Sequence, residues 1–476
     1  MNFIVYDISI LIVFAILVSI FLYTRRKNLK KEGLLLLYKE TWGIKFIENI
    51  AGKYKRLWKI LGYVSIVLGY ILMILMVYFF IKIVAVYLFN PEIVRAIKIP
   101  PIMPLIPYLP TIFNLDFLPP FYFIYWVIII AVIAIPHEVA HGICAAYNKI
   151  KIKNTGFGFF PFFLPIFLAA FVEPDEKEMT KKNKITQMSI LSSGTSANVL
   201  TAVIFFFILW GFFSISYAPA GVVFDSYSYS LIDVPSITMI NNITANNLTY
   251  NETLNILDKD INKLVAGDDY LLSKSIFEDA RSKEAYEIGK MLVYDNAPAI
   301  RSQLVGAITE IDGVKITSQE KLIEELGKKN PGDKINLKTF TGEGYNEYNI
   351  ILDEHPELNG RAWLGIGFVE KKRNGIMGRV VNVITLFRES NIYYQPVFGF
   401  SEFVYNLLWW IVLISISVAL INMLPVGIFD GGRFFYLTIA AITRSEKIAK
   451  KAFIGITYLF LILLAMIMFF WAFSFW

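Results

Sequence analysis

The sequence contains little cysteine, histidine or charge, and these shortages exclude several classes of protein. A single cysteine in 476 residues rules out an intramolecular disulfide. Charged residues make up 18% and hydrophobic residues 56% of the chain, a balance that excludes an ordinary soluble domain and indicates a polytopic membrane protein. The net charge of +6 is small for this length, so no nucleic-acid partner is predicted.

Six apolar runs are long enough to cross a hydrocarbon layer of about 30 Å. They are predicted at about 3–24, 60–89, 121–146, 186–214, 402–424 and 452–474. The first run ends in Arg25-Arg26-Lys27 and is predicted to be a permanent anchor rather than a cleaved signal. The loops 25–59 and 444–451 are basic and therefore predicted to be cytosolic, which places the N-terminus outside a cell membrane.

The predicted fold is a polytopic α-helical membrane protein with about six transmembrane helices and an inserted extracytoplasmic α+β domain. We divide the chain into N-terminal helices and loops (1–120), a first half of the membrane core (121–214), the external domain (215–385), a second half of the core (386–443) and a last helix (444–476). The stretch 90–120 is rich in proline, which breaks helices, and is predicted to be a structured loop.

The external domain carries one recognisable pattern. A strand is predicted at 307–311, a turn at Asp312-Gly313, a second strand at 314–316, a helix at about 318–327 and a strand at 334–340. This order resembles a PDZ domain, a module that binds peptide termini as an added strand. The resemblance covers the second half of the domain, and residues 225–290 are interpreted as an insertion.

The run AVIAIPHEVAHGICAAY contains two of the three histidines, His137 and His141. Helical residues four positions apart lie on one face, so both imidazoles can bind one metal ion. Glu138 is off that face but can reach a metal-bound water, which indicates metal-activated hydrolysis with Glu138 as general base. The alternative is a structural pair of histidines with satisfied hydrogen bonds.

The segment NMLPVGIFDGG follows the fifth apolar run and supplies a second candidate, Asp430. A carboxylate in an apolar region is costly unless it is paired or bound to metal. Asp430 is therefore predicted as the third ligand of a zinc site in which water takes the fourth place. The alternative is an ion pair between Asp430 and Arg433 at the membrane edge.

Two asparagines lie near the same predicted depth. Asn422 stands at the start of the same segment and is a candidate donor to a developing oxyanion. Asn198 closes the small-residue run SGTSAN in the fourth apolar run and is a candidate contact for substrate or for the wall of the active site. The alternative for Asn198 is an amide that only packs two helices together.

The stretch 155–184 is apolar for too few residues to span a membrane, and glycines and prolines interrupt it. A re-entrant hairpin or short β-ribbon beside the active site is predicted there. Such a ribbon can offer an edge to the backbone of an extended substrate. The alternative is an interfacial loop without a role in substrate binding.

Four motifs together resemble the site-2 protease family of intramembrane zinc metalloproteases: HEVAH, AFVEPDE at 170–176, SGTSAN and NMLPVGIFDGG. A PDZ-like segment between the second and fourth motifs also occurs in many members. The resemblance implies zinc on His137, His141 and Asp430, with Glu138 as the catalytic glutamate. It implies contacts of Asn422 and Asn198 with the scissile peptide, although many members have a Gly-Pro pair before the latter asparagine.

The implied activity is hydrolysis of peptide bonds within transmembrane segments of single-span substrates in the bilayer. Two other functions remain open from the residues alone. One is a membrane metalloprotease that cleaves at the surface and takes its third ligand from a downstream glutamate. The other is a non-enzymatic scaffold or metal-carrying transporter whose external domain binds peptides.

Overall fold

The computed structural model describes residues 3–32, 35–90, 92, 94–95, 100–101, 103–113, 115, 118–159, 168–245, 248–257, 259–277, 280–368, 385 and 387–473. The chain forms two compact units. The first comprises Met1–Phe212 and Glu402–Trp476, and the second comprises Phe213–Ser401.

The helices follow in chain order. They are α1 (Phe3–Thr24), α2 (Ile44–Lys53), α3 (Lys55–Phe89), α4 (Leu109–Ile112), α5 (Phe123–Tyr147), α6 (Glu176–Thr180), α7 (Lys184–Ser216), α8 (Tyr250–Ile256), α9 (Lys274–Phe277), α10 (Ala280–Glu287), α11 (Pro298–Arg301), α12 (Gln319–Gly327), α13 (Ser401–Asn422), α14 (Asp430–Thr443) and α15 (Glu446–Phe473). Within the described residues, α1, α3, α5, α7, α13 and α15 are long and apolar enough to cross a membrane. The six predicted spans are thereby confirmed.

The first unit contains a four-stranded antiparallel sheet with the strand order β1-β2-β3-β4. Its strands are β1 (Leu29–Glu32), β2 (Leu35–Glu40), β3 (Ile152–Phe159) and β4 (Leu168–Pro174). The strands β3 and β4 form the predicted β-ribbon, whose connecting residues 160–167 lie outside the described part of the chain. The strands β1 and β2 come from the segment 25–59, for which only a basic loop was expected.

A glycine permits the pairing of β2 with β3. A methyl group placed on Gly156 would lie 2.0 Å from the carbonyl oxygen of Tyr38, so no larger residue fits there. The side chain of Lys39 on β2 donates to Glu173 on β4 at 2.9 Å, and Asn154 on β3 donates to the same oxygen at 2.8 Å. These contacts join the β1–β2 hairpin and the β3–β4 ribbon in one sheet.

The charged segment 173–184 contains the short helix α6. The carboxylate of Asp175 accepts from the backbone of Lys177 at 2.8 Å and of Glu178 at 3.2 Å, which caps the short helix α6. Buried side chains from α3, α5, α7, α13 and α14 form the core that surrounds this part of the unit.

The second unit contains two six-stranded sheets. Their twelve strands are β5 (Tyr217–Val222), β7 (Tyr229–Asp233), β8 (Met239–Ile240), β9 (Ile243–Thr244), β10 (Asn262–Ala266), β11 (Asp268–Leu272), β12 (Lys290–Asp295), β13 (Ala307–Ile311), β14 (Val314–Lys315), β15 (Lys334–Phe340), β16 (Tyr345–Ile351) and β20 (Ile392–Pro396). Four short strands form two further pairs, β6 (Ser226–Tyr227) with β19 (Ile366–Gly367) and β17 (Asp353–Glu354) with β18 (Ala362–Trp363). Each six-stranded sheet has its own buried apolar cluster.

The predicted strand–turn–strand–helix–strand pattern is present as β13, β14, α12 and β15. Its sheet has the order β16-β15-β13-β5-β20, with β14 paired to β13. The second sheet, β7-β12-β11-β10-β8-β9, is built mainly from the segment interpreted as an insertion. The first strand β5 and the last strand β20 pair side by side, with Tyr217 opposite Pro396.

The turn at Asp312 depends on its side chain. Asp312 has a φ of +50°, and its carboxylate accepts from the Asn336 amide at 2.7 Å and from Lys329. These two bonds, the Lys329 bond first, hold the pKa of Asp312 below its ordinary value. The stabilisation is therefore complete above the ordinary carboxyl pKa and is lost as pH falls through the lowered one.

We predict that Asp312→Ala destabilises this sheet by about 2 kcal/mol, because it removes both bonds and leaves alanine at a positive φ. Asp312→Asn is the matched control, because asparagine tolerates that φ and keeps one acceptor oxygen. Hydrogen exchange of β13 and β15 in the full-length protein measures the difference. Equal exchange in the two variants would contradict the assignment.

Candidate metal centre

The two histidines of the HEVAH segment face each other on α5. Their Nε2 atoms lie 3.1 Å apart, and the rings are nearly perpendicular, at 79°. Both side chains are almost completely buried, with 11% of His137 and 12% of His141 exposed. The predicted shared face is therefore present, and its two imidazole nitrogens point at one place.

Asp430 is the first residue of α14 and brings a carboxylate to that place. Its Oδ2 atom lies 3.6 Å from Nε2 of His137 and 3.3 Å from Nε2 of His141. Arg433 pairs instead with Glu176 at 3.3 Å, so the alternative ion pair with Asp430 is absent. Within the described residues, His137, His141 and Asp430 form the one group able to hold a metal ion.

The separations of these three atoms fit a zinc ion. Tetrahedral ligands at about 2.0–2.1 Å from zinc are separated from one another by about 3.3 Å. The three observed separations, 3.1, 3.3 and 3.6 Å, bracket that value. Two imidazoles and one carboxylate are also the usual donor set of a hydrolytic zinc site with one open position.

The Nδ1 atom of each histidine is held by a neighbour on α7. Nδ1 of His141 lies 2.7 Å from the carbonyl oxygen of Ile190, which can only accept, so Nδ1 carries the proton. Nδ1 of His137 lies 3.0 Å from Nδ2 of Asn198, and the buried Oδ1 of this amide has no partner among the described residues. Exchanging the two ends of the amide keeps the side chain in place and turns Oδ1 toward the ring, where it accepts from Nδ1. Both Nε2 lone pairs then face the metal position.

Gly194 lets α7 approach the two imidazoles. A methyl group at this position would lie 2.3 Å from Nε2 of His141 and 2.8 Å from Cε1 of His137. Every larger residue would therefore push α7 away from the rings or displace them. The small residues of SGTSAN favour close helix packing, but no pattern in the sequence indicates that the packing partner is a candidate metal ligand.

Glu138 is turned toward the sheet. Its Oε2 atom accepts a hydrogen bond from the backbone amide of Val172 at 2.9 Å. Val172 belongs to β4, the terminal strand of the sheet, so this edge faces α5. The predicted ribbon thus lies beside the HEVAH segment and contacts its glutamate.

Asn422 is the last residue of α13 and is half-buried. No hydrogen-bond partner of its carboxamide is found among the residues that the structure describes. Asn198, in contrast, is fully buried against His137. The two asparagines therefore differ in what they can contact. Cys144 is a buried thiol 3.2 Å from the Ser189 hydroxyl and does not join the metal group.

Comparison with known proteins gives one match. Residues 125–466 match a family model described as Peptidase family M50. The matched region is more than half of the chain and contains all three members of the metal group. No curated protein matches the chain.

We predict that Gly194→Ala lowers the zinc content, because the added methyl group overlaps the metal-binding nitrogen of His141. The matched control is Gly211→Ala on the same helix, where nothing lies within 4 Å of the added methyl group. Both changes raise helix propensity by about 1 kcal/mol, so propensity alone predicts no loss. Zinc per chain is measured by mass spectrometry, and equal occupancy in both variants would contradict the close approach.

We predict that Asn198→Ala weakens zinc binding by about 10–100-fold, because Nδ1 of His137 loses the hydrogen-bond partner that orients its ring. Asn148→Ala, just after α5, removes contacts with the carbonyl and the thiol of Cys144 but none with His137, and serves as control. Competition with a chelator measures both affinities. An unchanged affinity of the Asn198 variant would show that the amide only packs helices.

Proposed function

The chain belongs to peptidase family M50, the site-2 protease family of membrane metallopeptidases, and on this premise we propose that it hydrolyses peptide bonds within transmembrane segments of single-span proteins. The observation that carries this proposal is the convergence of Asp430, at the start of α14, with His137 and His141 on the apolar helix α5. A polar group of this kind in an apolar span is costly without a function. We place the N-terminus and the second unit on the extracytoplasmic side, in agreement with the basic loops.

We assign zinc to His137, His141 and Asp430, whose atoms fit its coordination. When bound, zinc supplies Lewis-acid polarisation of the scissile carbonyl and lowers the pKa of water. Glu138 adjoins His137 and accepts the proton from the attacking water. It then delivers that proton to the amine of the leaving fragment.

The edge of β4 is proposed to bind the substrate backbone. A peptide bond in a helix is protected by its own hydrogen-bonding ladder, so the substrate must unwind before cleavage. An extended segment can pair with a free strand edge. The amide of Val172 on this edge already donates to Glu138, which supports a position of the scissile bond near that carboxylate.

The two asparagines are proposed to have separate roles. Asn422, whose amide has no hydrogen-bond partner among the described residues, donates to the oxygen that becomes negative during attack. Asn198 acts on the metal group through His137 and is a positioning residue. The resemblance implied that both asparagines contact the scissile peptide. Because Asn198 is fully buried, we assign that contact to Asn422 alone.

The second unit is proposed to select substrates. Its β13–β14–α12–β15 order supports a PDZ-like module that binds a trimmed peptide terminus or excludes large external domains. Of the two other functions considered, the surface-cleaving protease requires a glutamate as third ligand. The presence of Asp430 in the metal group argues against it.

We predict that Glu138→Gln lowers kcat by at least about 10²–10⁴-fold while zinc content stays at the wild-type level, because the proton acceptor is lost and the ligands remain. Asp430→Ala should lose both activity and zinc, because it removes a ligand. The assay uses liposomes containing a single-span peptide of about twenty apolar residues interrupted by a Gly-Pro pair. Wild-type protein that leaves this peptide intact, or cleavage that survives in Glu138→Gln, would contradict the proposal.

We predict that replacing residues 217–396 by a short Gly-Ser linker preserves cleavage of that peptide and extends cleavage to one carrying a folded external domain. The reason is that the metal group and Glu138 lie wholly in the first unit. The control is the intact chain with both peptides in the same liposomes. Unchanged selectivity after deletion would argue against a selecting role.

A further inference from the structure

The first helix, α1, lies outside the matched region and carries a fully buried carboxylate, Asp7. Its oxygens accept three hydrogen bonds: from the Tyr108 hydroxyl at 2.5 Å, the Phe123 amide at 2.7 Å and the Ile124 amide at 3.0 Å. An apolar cluster surrounds them. A carboxylate in such a place persists only because donors surround it.

Two of these donors are the first amides of α5, the helix that carries HEVAH. The residue that precedes α5, Tyr122, provides no side-chain cap. Asp7 therefore caps the catalytic helix from a different helix, where its negative charge also suits the positive end of the helix dipole. Amides left without this cap would have no acceptor in the apolar cluster.

The third donor is held in an unusual conformation. Tyr108 has a φ of +65°, rare for a residue with a bulky side chain, and its backbone amide donates to Phe121 at 2.7 Å. Burial, and then the bond to Asp7, raise the pKa of this hydroxyl, so it remains a donor. The hydrogen bond from Tyr108 to Asp7 thus also helps to hold the loop before α5 in its strained conformation.

The other end of α1 contacts the sheet. The ring of Phe21 lies 5.1 Å from that of Tyr38 on β2 and 5.9 Å from that of Phe159 on β3. Along α1, Phe21 is about 21 Å from Asp7, and along α5, Glu138 is about 21 Å from Ile124. From their shared contact at Asp7, α1 therefore reaches strands β2 and β3 of the sheet and α5 reaches strand β4.

These contacts form a closed chain of packed elements. Asp7 joins α1 to the start of α5, Phe21 joins α1 to β2 and β3, and Val172 on β4 joins the same sheet to Glu138 on α5. We propose that Asp7 is a positioning residue for peptide hydrolysis, which fixes the β4 edge against Glu138 through α1. The inference rests on the proposed function for its effect on catalysis, and on geometry alone for its effect on the sheet.

The test compares Asp7→Leu with Ser9→Leu in the full-length protein. Ser9 is the matched control because its hydroxyl bonds only within α1, to the Val5 carbonyl at 2.8 Å. Asp7→Leu is expected to lower kcat on the Gly-Pro peptide by about 100-fold, as displacement of a reacting group by about 1 Å does, with KM and zinc content unchanged. The Ser9 variant should match wild type.

Two readouts separate positioning from general loss of structure. The Val172 amide should exchange hydrogen faster in Asp7→Leu, while the amides of α7 and α14 keep wild-type rates. Uniform acceleration of exchange, or a wild-type rate at the Val172 amide, would overturn the proposal.

If Asp7→Leu does not fold, Asp7→Asn decides, since one acceptor oxygen remains and an intermediate loss of kcat is expected. A wild-type kcat in that variant would again overturn the proposal. If wild-type protein does not cleave the peptide, the proposed function fails, and Val172 exchange alone decides. Selective acceleration upholds the positioning role, and unchanged exchange refutes it.

Discussion

The structure depends on the two hydrogen bonds that fix the histidine Nδ1 atoms. An imidazole in an apolar span can present Nε2 to a metal only if its other nitrogen has an acceptor, because an unpaired polar group there is costly. Ile190 provides one acceptor from α7, and Asn198 provides the other when its Oδ1 is turned toward the ring. This requirement explains why α7 lies so close to α5 that Gly194 must lack a side chain.

The remaining elements follow from this contact. Asp430 can approach only after α13 ends at Asn422, and the turn before α14 redirects the chain toward the histidines. Methyl groups on Gly431 or Gly432 would lie 2.4 Å and 2.3 Å from the backbone of that turn. The sheet completes the surroundings by placing Val172 against Glu138. Helix packing, turn and strand edge thus converge on one group of side chains.

The sequence predicted the spans, the metal group and the β-ribbon because each is encoded by local spacing or hydropathy. It did not predict the partner of Asn198, since an amide in a helix carries no sign of the ring that it touches. The strands β1 and β2 were missed because basic charge in 25–59 outweighed the apolar run around Leu35. The role of Asp7 was also missed, because a single acidic residue near the end of an apolar run is typical of the membrane–water interface.

The pairing of β5 with β20 has a consequence for the history of the chain. Tyr217 and Pro396 lie opposite each other, and the Val397 amide donates to Ser216 at 2.9 Å, so the second unit begins and ends at one point. A module whose two ends are fastened together can be inserted between helices or removed without altering the distance that they must bridge. The second unit can therefore be replaced by another domain with adjacent ends while the helices of the first unit keep their positions.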